Sequence, residues 1–261
     1  MKNIRYMTKM QLQLPFTVVG IGELLWDRLP EGKKLGGAPV NFVYHVAQFG
    51  LPACAVSALG NDEEGAELRD KFNMLGLNAE IATVDYPTGA VDVVFDEARV
   101  PTYDIVEHVA WDHIPYSGRL EALAKRTSAV CFGTLAQRSD ESRETIRRFL
   151  DAVPSGALKI FDINLRQRFY SKEIVESSLL RCNVLKISDE ELPVVCDMFG
   201  LRSNDFQSNC RSLIGRYDLG ILILTCGSKG SYVFSKESDA PSFFAAPKVD
   251  VADTGGAGGS F

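Results

Sequence analysis

The chain has 261 residues, 46% of them apolar and 24% charged, a balance that excludes a predominantly disordered protein. Its 28 lysines and arginines against 34 aspartates and glutamates give a net charge of −6, which argues against a general nucleic-acid or anionic-membrane binder. No apolar run approaches the roughly 18–20 residues that span a bilayer, and the length suits one large domain.

Residues 1–16 hold Lys2, Arg5 and Lys9 without a continuous apolar core, so they do not read as a secretory signal. Residues 16–21 read as a first buried strand, and 24–35 are short and strand-like. Residues 39–49 follow as a helix, with Pro39 suited to its first turn and Gly50 to its C-terminal cap. Residues 53–59 are a strand, and 62–75 a helix with Gly65, Leu68, Phe72 and Leu75 on one face. Residues 89–96 and 102–109 alternate polar and apolar positions. With 24–35 they read as a small antiparallel flap exposed on one face. The βα alternation then resumes. Strands are expected at 129–132, 158–163, 184–187 and 220–225, and helices at 139–153, 172–180, 188–199 and 205–217. A hairpin of 232–234 and 243–245 closes the order. Repeated βα units with apolar strands predict an α/β fold whose mainly parallel sheet is covered on both faces. Ligands in such sheets bind beyond the carboxyl ends of the strands. The expected organisation is one domain over 1–261, with a lid formed by 24–35 and 88–110.

The six cysteines (Cys54, Cys131, Cys182, Cys196, Cys210 and Cys226) form no CxxC pair, and His45, His108 and His113 complete no metal pattern. They read as buried reduced thiols of a cytoplasmic protein. Gly20-Ile21-Gly22 begins like a dinucleotide fingerprint, but Leu25 replaces the third glycine and a strand-like segment follows. Gly36-Gly37-Ala38-Pro39-Val40-Asn41 places a glycine pair before a helix, where backbone can approach a ligand and Asn41 offers both donor and acceptor. Asp162, Asn164 and Arg166 stand at alternate positions at the end of a strand and are expected to point the same way. Ser188 and Glu191 have the spacing of a capping box, which accounts for both residues without a functional role. Thr225-Cys226-Gly227-Ser228-Lys229-Gly230 is a glycine turn that could hold phosphates. Residues 253–261 (DTGGAGGSF) could be a tail or could open a helix whose free N–H groups bind an anion.

Taken together and in order, these motifs resemble the ribokinase-like (PfkB) carbohydrate kinase family, its fructokinase branch in particular. The resemblance runs from Phe16 to Phe261. It implies a ribokinase-like three-layer sandwich with a small β lid, and ATP-dependent phosphorylation of a sugar hydroxyl, most naturally fructose to fructose 6-phosphate. It also implies the site. Asp27, Gly36, Gly37, Asn41, Tyr103, Asn164 and Arg166 would bind the sugar. Lys186, Ser188, Thr225, Gly227, Ser228, Lys229 and Gly230 would bind the nucleotide. Glu191 would serve Mg2+, and Asp253 a monovalent cation such as K+. The amides of Gly256, Ala257 and Gly258 would form the anion hole, with the catalytic base at position 259. Pro101 to Ile105 and Ala110-Trp111-Asp112 match the fructokinase lid, and Gly133 to Arg138 another motif of that branch. A homodimer through the lid is expected, and neither a nucleic-acid nor a membrane partner.

Three departures qualify that expectation. Position 259 is glycine, which cannot take a proton; Ser188 stands where the family has asparagine; and the chain stops at Phe261, in the first turn of an expected long helix. Relative to the family, the sequence thus reads as C-terminally incomplete and its activity is in question. A kinase for another sugar, such as 2-keto-3-deoxygluconate, is the alternative enzyme. That branch would carry a lid arginine where this chain has Ile105. A non-catalytic sugar- or nucleotide-binding relative is the alternative outside enzymes.

Overall fold

The computed structural model of the chain describes residues 17–30, 32–95 and 101–247. Strand β1 (Val18–Ile21) leads through Gly22 and Glu23 into the hairpin β2 (Leu25–Leu29) and β3 (Gly32–Gly36). Helix α1 (Ala38–Gln48), β4 (Ala53–Gly60), α2 (Glu63–Met74) and β5 (Asn78–Val84) follow, then β6 (Gly89–Phe95) and β7 (Pro101–Ile105). The second half runs α3 (Gly118–Ala124), β8 (Ala129–Gly133), α4 (Asp140–Ala152), β9 (Leu158–Asp162), α5 (Lys172–Leu179) and β10 (Val184–Ser188). It ends with α6 (Glu191–Phe199), α7 (Phe206–Tyr217), β11 (Ile221–Thr225), β12 (Gly230–Ser235) and β13 (Ser242–Ala245).

Nine strands form one sheet in the order β13-β12-β11-β10-β9-β8-β1-β4-β5, parallel except for the β11–β12 and β12–β13 pairings. Two apolar layers sandwich it. On one face Phe132, Phe161, Leu185 and Leu222 meet α3 to α7 through Leu123, Phe149, Val175, Val195 and Leu213. On the other, Val18, Ala53 and Ala55 meet α1 and α2 through Val40, Val43, Leu68 and Phe72. The alternation of side chains along each strand sends successive residues into the two layers, as at Val18 and Val19. The expected α/β sandwich is what the chain forms.

The lid is a second sheet of order β3-β2-β6-β7. Its two outer pairings are antiparallel, and the central β2–β6 pairing is parallel, with Leu25 opposite Gly89. The single strand-like segment expected at 24–35 is in fact a hairpin. The base of the lid is not exposed on either face: Ala90 and Val91 are buried in opposite apolar layers. Farther out Tyr103 reaches solvent, as do Lys33 and Lys34 on β3.

Side-chain caps set several helix starts. Asp62, Ser117, Ser171 and Asp205 each accept from a first-turn amide. The helix expected from Ser188 begins at Glu191 instead, because Ser188 completes β10 and residues 189–190 make the turn. Two elements escaped the sequence reading. Strand β5 (NAEIATV) is a half-exposed sheet edge poor in strand-forming residues, and α3 has only seven residues and begins with glycine.

Candidate active site

The carboxyl end of β1 places Gly22 and Glu23 at the point where the chain leaves the main sheet for the lid. Glu23 is almost fully buried, at 1% exposure. Its Oε1 accepts from the N–H of Ala38, the first residue of α1, at 3.1 Å, while Oε2 has no hydrogen-bond partner. Gly37, which precedes α1, has φ 117° and supplies no side-chain cap. A Cβ at Gly37 would land on the Glu23 carbonyl oxygen, so this turn needs glycine for both space and conformation. The same turn places Asn41 one helical turn on, its N–H donating to Gly37 O at 2.9 Å. Asp27 lies on β2, opposite Lys34 of β3 and Val91 of β6, with Gly36 packed against its carboxylate.

The third side of this region is the end of β9. Asp162 pairs with Lys186 of β10, Oδ1 to Nζ 2.8 Å, both side chains 13% exposed. Asn164 and Arg166 do not continue the alternation expected of a strand. β9 stops at Asp162, and Asn164 turns to φ 45°, so Asn164 and Arg166 lie on a loop rather than along an extended edge. The Arg166 charge reaches both Asp162 and Glu23. Burial pushes the Glu23 carboxyl up to about 7. Asp162 adds to that rise, and the N–H groups of Glu23 and Ala38 and the Arg166 charge oppose it. Asp162 is also raised, by burial first and by Glu191, against the pull of Lys186 and Arg166.

Ser188 and Glu191 form the reciprocal pair their spacing predicts. Glu191 N–H donates to Ser188 Oγ at 3.1 Å, and Ser188 N–H donates to Glu191 Oε2 at 3.0 Å. The other carboxylate oxygen, Oε1, accepts from Leu165 N–H at 2.8 Å, so Glu191 also pins the loop that carries Asn164 and Arg166. That second role has no sequence signal, because its partner lies 26 residues away. Lys186, expected among the nucleotide ligands, donates to Asp162 and so is turned toward β9.

The glycine turn after β11 is open. Gly227, Ser228 and Lys229 are exposed on a short 3-10 turn, while Thr225 is buried and its carbonyl accepts from Asp189 N–H at 2.9 Å. Beside it lies a cavity of about 680 Å³ whose walls include Leu192, Pro193, Phe206, Lys229, Tyr232 and Phe243. Arg202 also lines it, so apolar and aromatic walls stand beside two cations and the carboxylate of Asp189, a mixture that suits a planar base carrying anionic groups. Phe206 and Tyr232 were not marked by the sequence. They become neighbours, with ring centroids 5.2 Å apart, only once α7 packs beside β12.

The Ala110-Trp111-Asp112 motif meets the Gly133 to Arg138 motif. Arg138 grips Asp112 through Nε and Nη2, each 2.8 Å from a carboxylate oxygen, donates to Val106 O at 2.6 Å, and lies between the rings of Trp111 and Phe169. Gln167 Nε2 donates to the backbone oxygen of Tyr103 at 2.5 Å, and Arg168 pairs with Glu107. The loop bearing Asn164 and Arg166 is thereby tied to the lid. The expected anion hole and base, Gly256 to Gly259, and the cation residue Asp253 lie outside the described residues.

The profile of the pfkB family carbohydrate kinases matches residues 31–261. The chain belongs to the pfkB family of carbohydrate kinases. It is 25% identical to a putative sugar kinase of Pyrococcus horikoshii over 94% of this chain and 79% of that protein. It is 27% identical to an ATP-dependent 6-phosphofructokinase of Thermoanaerobacterium thermosaccharolyticum, with the same shares covered. A fructokinase of Salmonella typhimurium is also 27% identical, over 92% of this chain and 80% of that one. Among solved structures, a fructokinase of Xylella fastidiosa with bound ATP superposes with a TM-score of 0.80 at 20% identity, covering 95% of this chain and 79% of its own. The pfkB chain described here thus shares its fold with fructokinases, and its family with kinases acting on several sugars.

Proposed function

We propose that this pfkB chain transfers the γ-phosphoryl group of ATP to a hydroxyl of a neutral sugar, with fructose to fructose 6-phosphate the first candidate. The observation that carries the reading is the Gly36–Gly37 turn, with the Asp27 carboxylate packed against Gly36, Asn41 one helical turn beyond Gly37, and the Arg166 charge reaching Glu23 at its base. Short polar groups and exposed backbone suit a polyol. Ile105, buried at 5%, occupies the lid position where a kinase for 2-keto-3-deoxygluconate would be expected to carry a carboxylate-reading arginine.

Phosphoryl transfer asks the protein for positioning and charge neutralisation more than for covalent work. In this reading the acceptor sits between Asp27, Asn41 and Arg166 under Tyr103, and the nucleotide lies along Thr225 to Gly230 with its base in the cavity. Each Glu191 oxygen carries one backbone N–H and keeps a further lone pair. Among the described residues no three His, Cys, Asp or Glu side chains gather to hold a metal by themselves. Both facts fit Mg2+, which commonly takes one or two carboxylates together with phosphate oxygens. The amides of Gly256 to Gly258 would steady the transferring oxygens, and Asp253 would bring in a monovalent cation.

The test is a coupled assay with purified protein and saturating Mg-ATP, offering fructose, fructose 6-phosphate and 2-keto-3-deoxygluconate. Fructose should give the highest kcat/KM, and a higher value for either of the others overturns the acceptor assignment. Gly259 favours a second reading, a sugar- and nucleotide-binding relative that turns over slowly. A positioned base contributes about 10²–10⁴ in rate. Gly259→Asp should therefore raise turnover within that range if position 259 is the base, and an unchanged rate removes it from that role. The same reading includes a cytoplasmic homodimer joined through the lid. All six cysteines are free, and burial holds the thiols of Cys182 and Cys210 up to about 12, so they resist oxidation where they lie. Light scattering at micromolar concentration decides the dimer, and a monomer there counts against it.

A further inference from the structure

Glu23 has a feature that the reaction just proposed does not use: a carboxylate 1% exposed, with one oxygen bonded and the other unpartnered, beside the acceptor region. Its bonded oxygen caps α1 from outside the helix. Gly37 has no side chain to do so, and no acidic residue stands in the first turn of α1. A remote carboxylate therefore takes both tasks of an N-cap, accepting an orphan amide and facing the positive end of the helix dipole. The Glu23 backbone fixes the same turn from below, because its carbonyl oxygen fills the space where a Gly37 Cβ would sit. Ser57 Oγ holds the preceding residue in place by donating to Gly22 O at 2.7 Å.

We propose that Glu23 is a positioning residue of the acceptor site, acting on the sugar through the Gly36–Gly37 turn and the first turn of α1, which carries Asn41. The inference rests on the acceptor placement of the preceding subsection. An ionised carboxylate is the stronger acceptor for Ala38 N–H and the better partner for the helix dipole. The turn is therefore held more firmly when Glu23 is charged. Around it, β9 and its following loop present Asp162 and Arg166, β8 presents the buried Cys131 thiol, and α1 presents no charged group in its first turn. The Glu23 carboxyl stands near 7, so its charge changes within the working range of pH. Acceptor affinity should accordingly rise from pH 6 to pH 8 by about two- to fivefold while kcat stays within twofold. By reciprocity, bound acceptor should lower the apparent midpoint of Glu23.

The experiment uses the full chain and three variants of one position: wild type, Glu23→Gln and Glu23→Ala. The first readout needs neither turnover nor a known sugar. The Ala38 amide resonance should titrate with a midpoint near 7 in wild type and stay flat from pH 6 to 8 in Glu23→Gln. The second is acceptor KM or Kd, with the sugar that wild type turns over fastest or, without turnover, the sugar it binds. Wild type should show the pH-dependent gain. Glu23→Gln should hold a pH-independent value near that of wild type at pH 6, and Glu23→Ala should be about tenfold weaker at every pH. An amide that does not titrate, or an acceptor affinity with the same pH dependence in wild type and Glu23→Gln, overturns the proposal. If Glu23→Ala does not fold, the wild type and Glu23→Gln comparison still decides it. If fructose fails as acceptor while the Ala38 amide titrates as described, the substrate assignment falls and the linkage of Glu23 to the turn stands.

Discussion

The two ends of the candidate site are built in opposite ways. At the proposed acceptor end several charged and polar groups are committed within the fold: Glu23 to α1, Lys186 to Asp162, Glu191 to the amides of Leu165 and Ser188, Gln167 to the lid. At the proposed nucleotide end Gly227, Ser228 and Lys229 stand exposed on a single turn beside an open cavity. Under the proposed function the contrast follows from what each end would recognise. A small polyol presents hydroxyls in fixed directions, so its readers must be held in place before it arrives. A polyphosphate brings strong charge and can draw flexible donors to itself. Substitutions at the acceptor end should therefore cost stability and binding together, and substitutions at the nucleotide turn should cost binding alone.

The sharpest way to break this contrast is Gly37→Ala. The left-handed φ alone costs on the order of 1–3 kcal/mol in a residue with a side chain, and the new Cβ meets backbone, which cannot swing aside. Stability should fall by at least about 3 kcal/mol, with acceptor affinity down more than tenfold and nucleotide affinity within twofold. Chemical denaturation and two separate titrations check it. A variant as stable as wild type would show the acceptor turn to be plastic, and the contrast would fail.

Lys186→Met comes next. It leaves Asp162 without its cation in a site that is 13% exposed. Removing one partner of a fully buried pair costs about 3–5 kcal/mol. Asp162 can protonate instead, so about 2 kcal/mol is expected at pH 8. The sign with pH follows from the raised Asp162 carboxyl. A raised acid favours the folded state at low pH and loses that advantage as pH rises through its folded value. Without Lys186 the value climbs further, so the deficit of the variant should grow from pH 5 to pH 8. A deficit that shrinks over that interval would contradict the pairing.

What the sequence made legible divides along the same line. Hydrophobic runs and glycine breaks placed the βα units, because strand and helix periods are local and β1, β4, β8 and β11 are nearly all apolar. Gly36–Gly37, Asp27 and Asn41 were visible as a motif, and the Ser188–Glu191 box as a spacing. The bonds that hold the acceptor end together were not visible, since they join residues far apart: Glu23 to Ala38, Leu165 to Glu191, Tyr103 to Gln167. The strand-like reading of 162–166 failed for a related reason. Alternation predicts direction only while the chain stays extended, and Asn164 leaves that conformation.

Asp62→Ala tests the hinge between lid and sheet with a smaller effect. Asp62 caps α2 through Gly65 N–H at 2.7 Å and accepts from the N–H and hydroxyl of Thr88, the residue before β6. Loss of such a cap costs about 1 kcal/mol. Burial pushes the Asp62 carboxyl upward, but the bonds from Thr88 and Gly65 together outweigh it and hold the group below its ordinary value. The stabilisation is therefore present at neutral pH and lost as pH falls through the folded value. The difference between variant and wild type should narrow below about pH 4. Denaturation midpoints at pH 7 and pH 3.5 measure it, and an equal difference at both would mean that the carboxylate charge is not what ties the lid.

The smallest structural effect is expected at the opposite end, and it decides whether the two ends differ at all. Lys229 is exposed on the turn at the mouth of the proposed nucleotide cavity, followed by Gly230 at φ 124°. An exposed side chain of this kind contributes little to folding, so Lys229→Ala should leave stability within about 0.5 kcal/mol. If its ammonium meets the phosphates, nucleotide affinity should fall about three- to tenfold, near ~0.6–1.4 kcal/mol. Acceptor affinity should not move. Because the charge is solvent-facing, the loss should shrink as ionic strength rises from 50 to 500 mM, where the screening length becomes shorter than the reach of the side chain. Calorimetric titration of wild type and variant with Mg-ATP at both salt concentrations gives the answer. Equal affinity at low salt removes Lys229 from the nucleotide site, whereas a loss accompanied by a fall in stability would show that this turn, like the acceptor end, is part of the framework.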